Sequence, residues 1–425
     1  MSNTKIKNIA ARQLIDCNCR PMVEVDVICE NGAAGSGSAP TGSSVGMHEA
    51  FVLRDNDPSE FGGLGVRKAV RNVEGILRPA LIGLDVTNQR LIDETMIALD
   101  GTPNKSNLGG NAIYSTSVAC LRAAADASGM PAYRYLAGGD IKTVPFPSFN
   151  VINGGRYGDV TLAFNEFILI PYKAETIDEA VHIGIQVYQT LRETIRETLG
   201  KKPVIGRSYG WAAPSDDPEV VLSLIEKAAQ KCGCADKVAF AVDCASSEMY
   251  DKGSGTYLLK GKRVDADEII AYAKTLTNRF PMLYIEDLLD EDDWSGYARA
   301  VSQIDRSLII GDDFTVTNLN RIKRAYTEKA IDGFILKPNQ IGSITEALDA
   351  YSFAKSRGLA VITSGRAGGV IADIVMDLAV GLNLRVIKNG APRSGERIDK
   401  LNFLMRVSSL YPGCRLADLS GIVKF

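Results

Sequence analysis

Residues 282–294 read MLYIEDLLDEDDW: four apolar positions run without alternation and stop at Glu286 and Asp287. A continuous apolar run describes a strand covered on both faces, and the acid at its end places a polar rim there. The same design recurs as VAFAVDCA (238–245), SLIIGDDF (307–314), GFILKPN (333–339), LAVITSG (359–365) and LRVIKNG (384–390), with FILIP (167–171) ahead of them. Helical patterns separate the runs, such as ADEIIAYAKTLTNRF (266–280), NLNRIKRAYTEKA (318–330) and SITEALDAYSFAKSRG (343–358). Repeated strand–helix units predict an α/β protein built on a parallel sheet, and this many of them predict a closed β/α barrel.

The chain before this pattern is organised differently. KIKNIAARQLID and MVEVDVICENGAAGSGSA alternate as strands and break at Asn31-Gly32, a hairpin signal, while GNAIYSTSVACLRAAADASGM is an Ala-rich helix with a glycine stop. We therefore expect an α+β domain over residues 1–140 and the barrel over 141–425. Between strands and helices lies SAPTGSSVGMHEA, a loop of small residues.

Composition narrows the partners. With 48 Lys+Arg against 51 Asp+Glu, the formal net charge is -3, so no global field recruits nucleic acid or an acidic membrane surface. The 45% hydrophobic content suits a soluble globular protein, and no apolar run is long enough for a membrane span or a leader. Eight cysteines are scattered through the chain, without the density of a disulfide framework. Cys17-x-Cys19 and Cys232-x-Cys234 lack zinc-site spacing. Reduced thiols in a cytoplasm fit this usage.

The rim residues carry the chemistry. Asp243, Glu286, Asp312, Lys337, Arg366 and Lys388 each stand at or just past the C-terminal end of an apolar run, which is where barrel enzymes place their catalytic groups. Three acids are followed by three bases. Three converging carboxylates repel one another unless a cation sits between them, and oxygen donors without His or Cys favour Mg2+. Neighbouring cations would push a lysine toward use as a base. The set suits removal of a proton alpha to a carboxylate with metal stabilisation of the enediolate; the alternative is an ion-pair ring that closes the barrel.

FNVINGG, NEFILIP, AVDCASSEMY, YIEDLLDEDDW, IGDDFTVTN, ILKPNQIGS, DLAVGLN and IKNGAPRSGER together resemble the enolase family over nearly the full length. The resemblance implies an atypical eight-stranded β/α (TIM-type) barrel with an α+β N-terminal domain, usually in a homodimer. It also implies that Asp243, Glu286 and Asp312 hold Mg2+, that Lys337 removes the C2 proton, that Lys388 holds the substrate carboxylate and Arg366 its phosphate. Ser44, in PTGSSVG, would close with a second magnesium, and Glu166 in NEF matches a catalytic-site carboxylate.

Departures from the family pattern lie on one side of the implied chemistry. Where enolases read G-D-E-G-G-Y-A-P, this chain reads GRSYGWAAP, placing Ser208 at the general-acid glutamate. S-H-R-S-G becomes SGRAG, with Gly365 at the histidine and Ala367 at the serine. N-G-G-S-H-A becomes NGGRYG, with Tyr157 at a histidine, and D-S-R-G-N-P becomes DCNCRP. Loss of a positioned acid forfeits about 10²–10⁴ in rate, so ordinary enolase activity is expected to be weak or absent. Arg156, Arg207 and Tyr157 add cations and donors, pointing to a more anionic phosphorylated or phosphonylated carboxylic acid, or to a better leaving group than hydroxide. Tyr157 or Tyr209 would supply a proton. Carboxyphosphonoenolpyruvate synthase of phosphonate biosynthesis is one enolase-like enzyme whose substrate has extra negative charge. Two alternatives stay open: a non-catalytic binding or scaffold protein, and an enolising racemase or isomerase.

Overall fold

The structure, a computed structural model, describes residues 3–42, 46–155 and 164–425. Ser44, Arg156 and Tyr157 lie outside the described residues.

The N-terminal unit is a three-stranded antiparallel sheet, β1 (Ile6–Ile15), β2 (Pro21–Cys29) and β3 (Ala34–Ser38), backed by helices that include α1 (Gln89–Asp100) and α2 (Gly110–Ala127). The hairpin expected at Asn31-Gly32 joins β2 to β3, with Gly32 at φ 87. The Ala-rich helix is almost wholly buried because β3 lies against its backbone. A Cβ on Gly37 would stand 2.2 Å from the Ser115 carbonyl oxygen, so only glycine permits this approach. On its other side α2 sends Tyr114, Val118 and Leu121 into a cluster with Ile344, Ile374 and Leu378 of the second unit. One helix thus ties the small unit to the large one.

The second unit is a closed barrel of eight strands: β4 (Phe146–Asn153), β5 (Glu166–Ile170), β6 (Ala239–Asp243), β7 (Met282–Glu286), β8 (Leu308–Gly311), β9 (Gly333–Leu336), β10 (Ala360–Ser364) and β11 (Val386–Lys388). Strands pair in chain order, and β11 closes on β4 through Lys388↔Ser148. Outer helices include α3 (Ile177–Leu199), α4 (Pro218–Lys231), α5 (Ala266–Arg279), α6 (Trp294–Gln303), α7 (Leu319–Thr327), α8 (Ile344–Arg357), α9 (Ile374–Gly381) and α10 (Gly395–Leu410). Every residue of β6 and β7 is buried, as continuous apolar runs require.

The barrel departs from the all-parallel expectation at one strand. β5 runs antiparallel to both β4 and β6. FILI is equally apolar in either direction, so composition could not reveal the reversal. Its consequence is functional: Glu166 opens β5, yet pairs with Asp243 at the end of β6 and so reaches the same rim. Among the described residues, no helix is long and apolar enough to cross a membrane, and all eight cysteines are unpaired.

Candidate active site

Lys337 shows how local sequence aims a side chain at the rim. Pro338 follows it, which restricts Lys337 to extended backbone (φ -127, ψ 96) and starts the short helical turn Pro338–Ile341. The Lys337 amide donates to Thr317 Oγ1 at 2.9 Å, and its ammonium ion-pairs with Asp312. Gln340, from that same turn, donates to the other oxygen of Asp312 at 2.9 Å.

Lys388 ends β11 and reaches across the mouth. Its Nζ donates to both oxygens of Glu286 at 2.7 Å and lies 3.1 Å from Glu166 and 3.4 Å from Asp243. Register explains the convergence, because Asp243 pairs with both Glu166 and Glu286 on adjacent strands. Burial and the neighbouring acids lift the Asp243 carboxyl to about 6, against the pull of Lys388. Burial and Asp243 hold Glu286 well above the usual carboxylate range. Asp312 goes the other way: burial would raise it, but Lys337 and Lys388 outweigh that and hold it at about 2. Lys337 itself is raised, since Asp312 outweighs both burial and the nearby cations. The sequence expectation that cations would bring Lys337 down toward use as a base is therefore corrected for this arrangement: its direct partner is a carboxylate.

This oxygen-rich set fits a hard divalent cation. Among the described residues five acids line the mouth, Glu166, Asp243, Asp287, Asp312 and Asp313, with Glu286 beneath Lys388; no histidine does, and lysine and arginine cations supply the positive charge there. A second grouping, Asp287, Asp312 and Asp313, has oxygens within 4.8 Å of one another. Asp287 is already occupied, accepting from the amides of Asp312 at 2.8 Å and Asp313 at 2.7 Å. We therefore assign Asp287 to holding the rim loop, and Asp243, Glu286 and Asp312 as the candidate metal ligands.

Arg366 follows β10 and is buried against the N-terminal unit, where it donates to Glu49 at 2.8 and 3.1 Å in a bidentate pair. Glu49 was not singled out from sequence. It lies just beyond the loop that contains Ser44, so the predicted phosphate anchor is engaged by the unit that carries that loop.

The altered side is built from GRSYGW and α10. Tyr209 adopts φ 65; before it, Ser208 is buried in the cleft and Arg207 is exposed. The structure does not bring Arg207 to the cleft. Its place is taken by Arg397 of α10, which donates to the Ser208 carbonyl and, at 3.1 Å, to Ser208 Oγ, and stacks over Tyr209 at 5.0 Å. Tyr209 does not line the cleft, and its hydroxyl lies 3.5 Å from the Cys17 carbonyl oxygen. Burial raises it above the usual tyrosine range, a correction to its expected role as proton donor. Beside Gly365, where the family pattern has histidine, lies Lys400; a Cβ on Gly365 would stand 3.4 Å from its Nζ. Arg397 and Lys400 are not among the residues singled out from sequence, although both occur in ERIDKLNF (396–403) with the three-residue spacing that puts them on one helix face.

One cleft thus gathers Glu166, Asp243, Asp312, Lys337, Arg366, Lys388 and Ser208, with Glu286 under Lys388. The description "Enolase, N-terminal domain" matches residues 6–136, and "Enolase, C-terminal TIM barrel domain" matches residues 141–412. The chain belongs to the enolase family. A protein named enolase from Methanocaldococcus jannaschii is 42% identical over 404 residues, covering 95% of each chain. Enolases of Methanopyrus kandleri and Methanococcus maripaludis are each 40% identical, over 425 and 403 residues. The alignments cover 99% and 95% of this chain and 97% and 94% of those relatives. Family membership makes the chain one of a class of lyases. The particular reaction rests on the cleft.

Proposed function

We propose that the protein is a Mg2+-dependent carbon–oxygen lyase that removes the proton alpha to a carboxylate and expels a β substituent from a 2-phosphoglycerate-like acid. Its preferred substrate would be more anionic, a phosphonylated acid of the carboxyphosphono type, with 2-phosphoglycerate itself turned over slowly. One observation carries this reading: the acids and lysines of the rim share a cleft with Ser208 and Gly365, where the family pattern places a glutamate and a histidine.

Lys337 Nζ takes the C2 proton, and the C–H electron pair moves toward the carboxylate as an enediolate. When the β C–O bond breaks, that pair becomes the C2–C3 double bond, and the departing oxygen keeps the C–O electron pair and takes a proton from solvent water. Lys337 must first part from Asp312, because a protonated lysine accepts nothing. Lys388 pairs with the substrate carboxylate and Arg366 with the phosphoryl group. Mg2+ on Asp243, Glu286 and Asp312 would supply charge stabilisation for the enediolate. Ser208 cannot protonate a poor leaving group as a carboxylic acid does, which slows loss of hydroxide.

The test compares kcat/KM for 2-phosphoglycerate and for the analogue in which a carboxylate replaces one phosphoryl oxygen. We expect the analogue to be favoured at least about tenfold, a difference of about 1.4 kcal/mol. Equal or better use of 2-phosphoglycerate overturns the preference. It would support the second reading, ordinary 2-phosphoglycerate dehydration, which the names of the relatives favour.

A further inference from the structure

Lys400 is a buried cation that no step of the proposed reaction uses. It is 3% exposed, yet it lines the cleft beside Gly365, Arg366 and Ala367. Its ammonium can donate three hydrogen bonds. Among the described residues it makes one, to the Glu396 carbonyl oxygen at 3.2 Å. Two buried acids face it: Asp373, which caps α9, and Glu396, one turn back on α10; neither comes within ion-pair distance among the described residues. Asp373 Oδ2 has no hydrogen-bond partner among them and borders the space beside Gly365, and burial raises its carboxyl above the usual range against the pull of Lys400. Arg397, its cationic neighbour, is committed to Ser208.

Space and charge coincide here. Gly365 offers no side chain, and its missing Cβ would stand 3.4 Å from Lys400 Nζ and 3.6 Å from Asp373 Oδ2. The neighbouring Ala367 adds no polar atom. Asn389, 1% exposed, also lines this cleft, and both of its side-chain amide atoms lack a hydrogen-bond partner among the described residues. A buried amide without partners and a buried ammonium with unused donors both gain from an anionic oxygen-rich group.

We propose that Lys400 is a specificity-determining residue that pairs with a second anionic group of the substrate, a carboxylate lying beyond the phosphoryl group that Arg366 holds, in the space beside Gly365 and Ala367. The proposal rests on the lyase reading above, with its carboxyphosphono substrate, and deepens it by assigning a residue and a place to that substrate's further carboxylate. Burial holds the Lys400 ammonium below the usual lysine range, so an incoming anion relieves an existing penalty.

The test measures kcat/KM for 2-phosphoglycerate and for the carboxyphosphono analogue in wild type, Lys400→Met, Lys400→Arg and Gly365→His, with circular dichroism to select folded variants. Lys400→Met should lower the analogue-to-phosphoglycerate ratio at least about tenfold. Lys400→Arg should retain part of the ratio, because the charge survives while its geometry changes. Gly365→His should lower it by occupying the space, a readout that stands even where Lys400→Met fails to fold. A wild-type preference for the analogue that persists in the folded variants overturns the role of Lys400 while leaving the lyase reading intact. A wild type with no such preference overturns the substrate class and this inference together.

Discussion

Replacing Glu49 by Gln removes the counter-charge from the buried Arg366 guanidinium and leaves the side-chain volume nearly unchanged. The Arg366 and Glu49 side chains are 5% and 3% exposed, and their bidentate contacts are 2.8 and 3.1 Å. Removing one partner of a buried pair costs about 3–5 kcal/mol. Arg366 also feels the charges of Asp312 and Asp313, which places Glu49→Gln near the lower end, about 3 kcal/mol. At roughly 2.1 cal/mol/K per residue, the 425-residue chain melting as one unit has an unfolding entropy of about 0.9 kcal/mol/K. The substitution should therefore lower Tm by roughly 3 °C. It also removes a competing negative charge beside the guanidinium, so inorganic phosphate should raise the Tm of Glu49→Gln more than that of wild type. Scanning fluorimetry with and without phosphate reads both effects. A Tm within about 1 °C of wild type, together with an unchanged phosphate shift, would refute the reasoning.

Further predictions follow from other contacts. Gly37→Ala sets a Cβ 2.2 Å from the Ser115 carbonyl oxygen and should cost about 1–3 kcal/mol by forcing β3 from α2, read as a lower Tm in scanning fluorimetry. Mg2+ at about 100 times its Kd should stabilise wild type by about 2.7 kcal/mol. In Asp312→Asn the Mg2+-dependent part of the thermal shift should largely vanish, whatever the variant's own Tm. Ser208→Glu places a carboxylate against Arg397, 3.1 Å from the present hydroxyl. That guanidinium holds it ionised, so phosphoenolpyruvate formation from 2-phosphoglycerate should rise by less than about tenfold, short of the gain expected from a working general acid.

Much of the barrel was readable because its strands are buried on both faces and say so in unbroken apolar runs. The rim residues were readable for the same reason, since each run ends where a charged residue appears. β5 was not, because an apolar strand carries no mark of direction. Only pairing with β6 brings Glu166 beside Asp243. Glu49, Arg397 and Lys400 belong to a loop and a helix whose contacts with the site span many residues of chain. Their charges looked like surface charges until packing buried them. Arg207 shows the converse error: proximity in sequence to Ser208 suggested a shared role, but Arg207 is exposed while Ser208 is buried in the cleft. The pairing of Lys337 with Asp312 was equally invisible, since spacing along the chain does not say which of several neighbours a lysine will meet.

The most direct test of the central claim is proton NMR of 2-phosphoglycerate in D2O with the protein and Mg2+, run beside Lys337→Ala. The account predicts deuterium at C2 faster than phosphoenolpyruvate appears, and loss of that exchange by at least about 10²-fold in Lys337→Ala. Exchange that survives Lys337→Ala would contradict the assignment of the base, and phosphoenolpyruvate forming as fast as exchange would contradict a disabled leaving-group side.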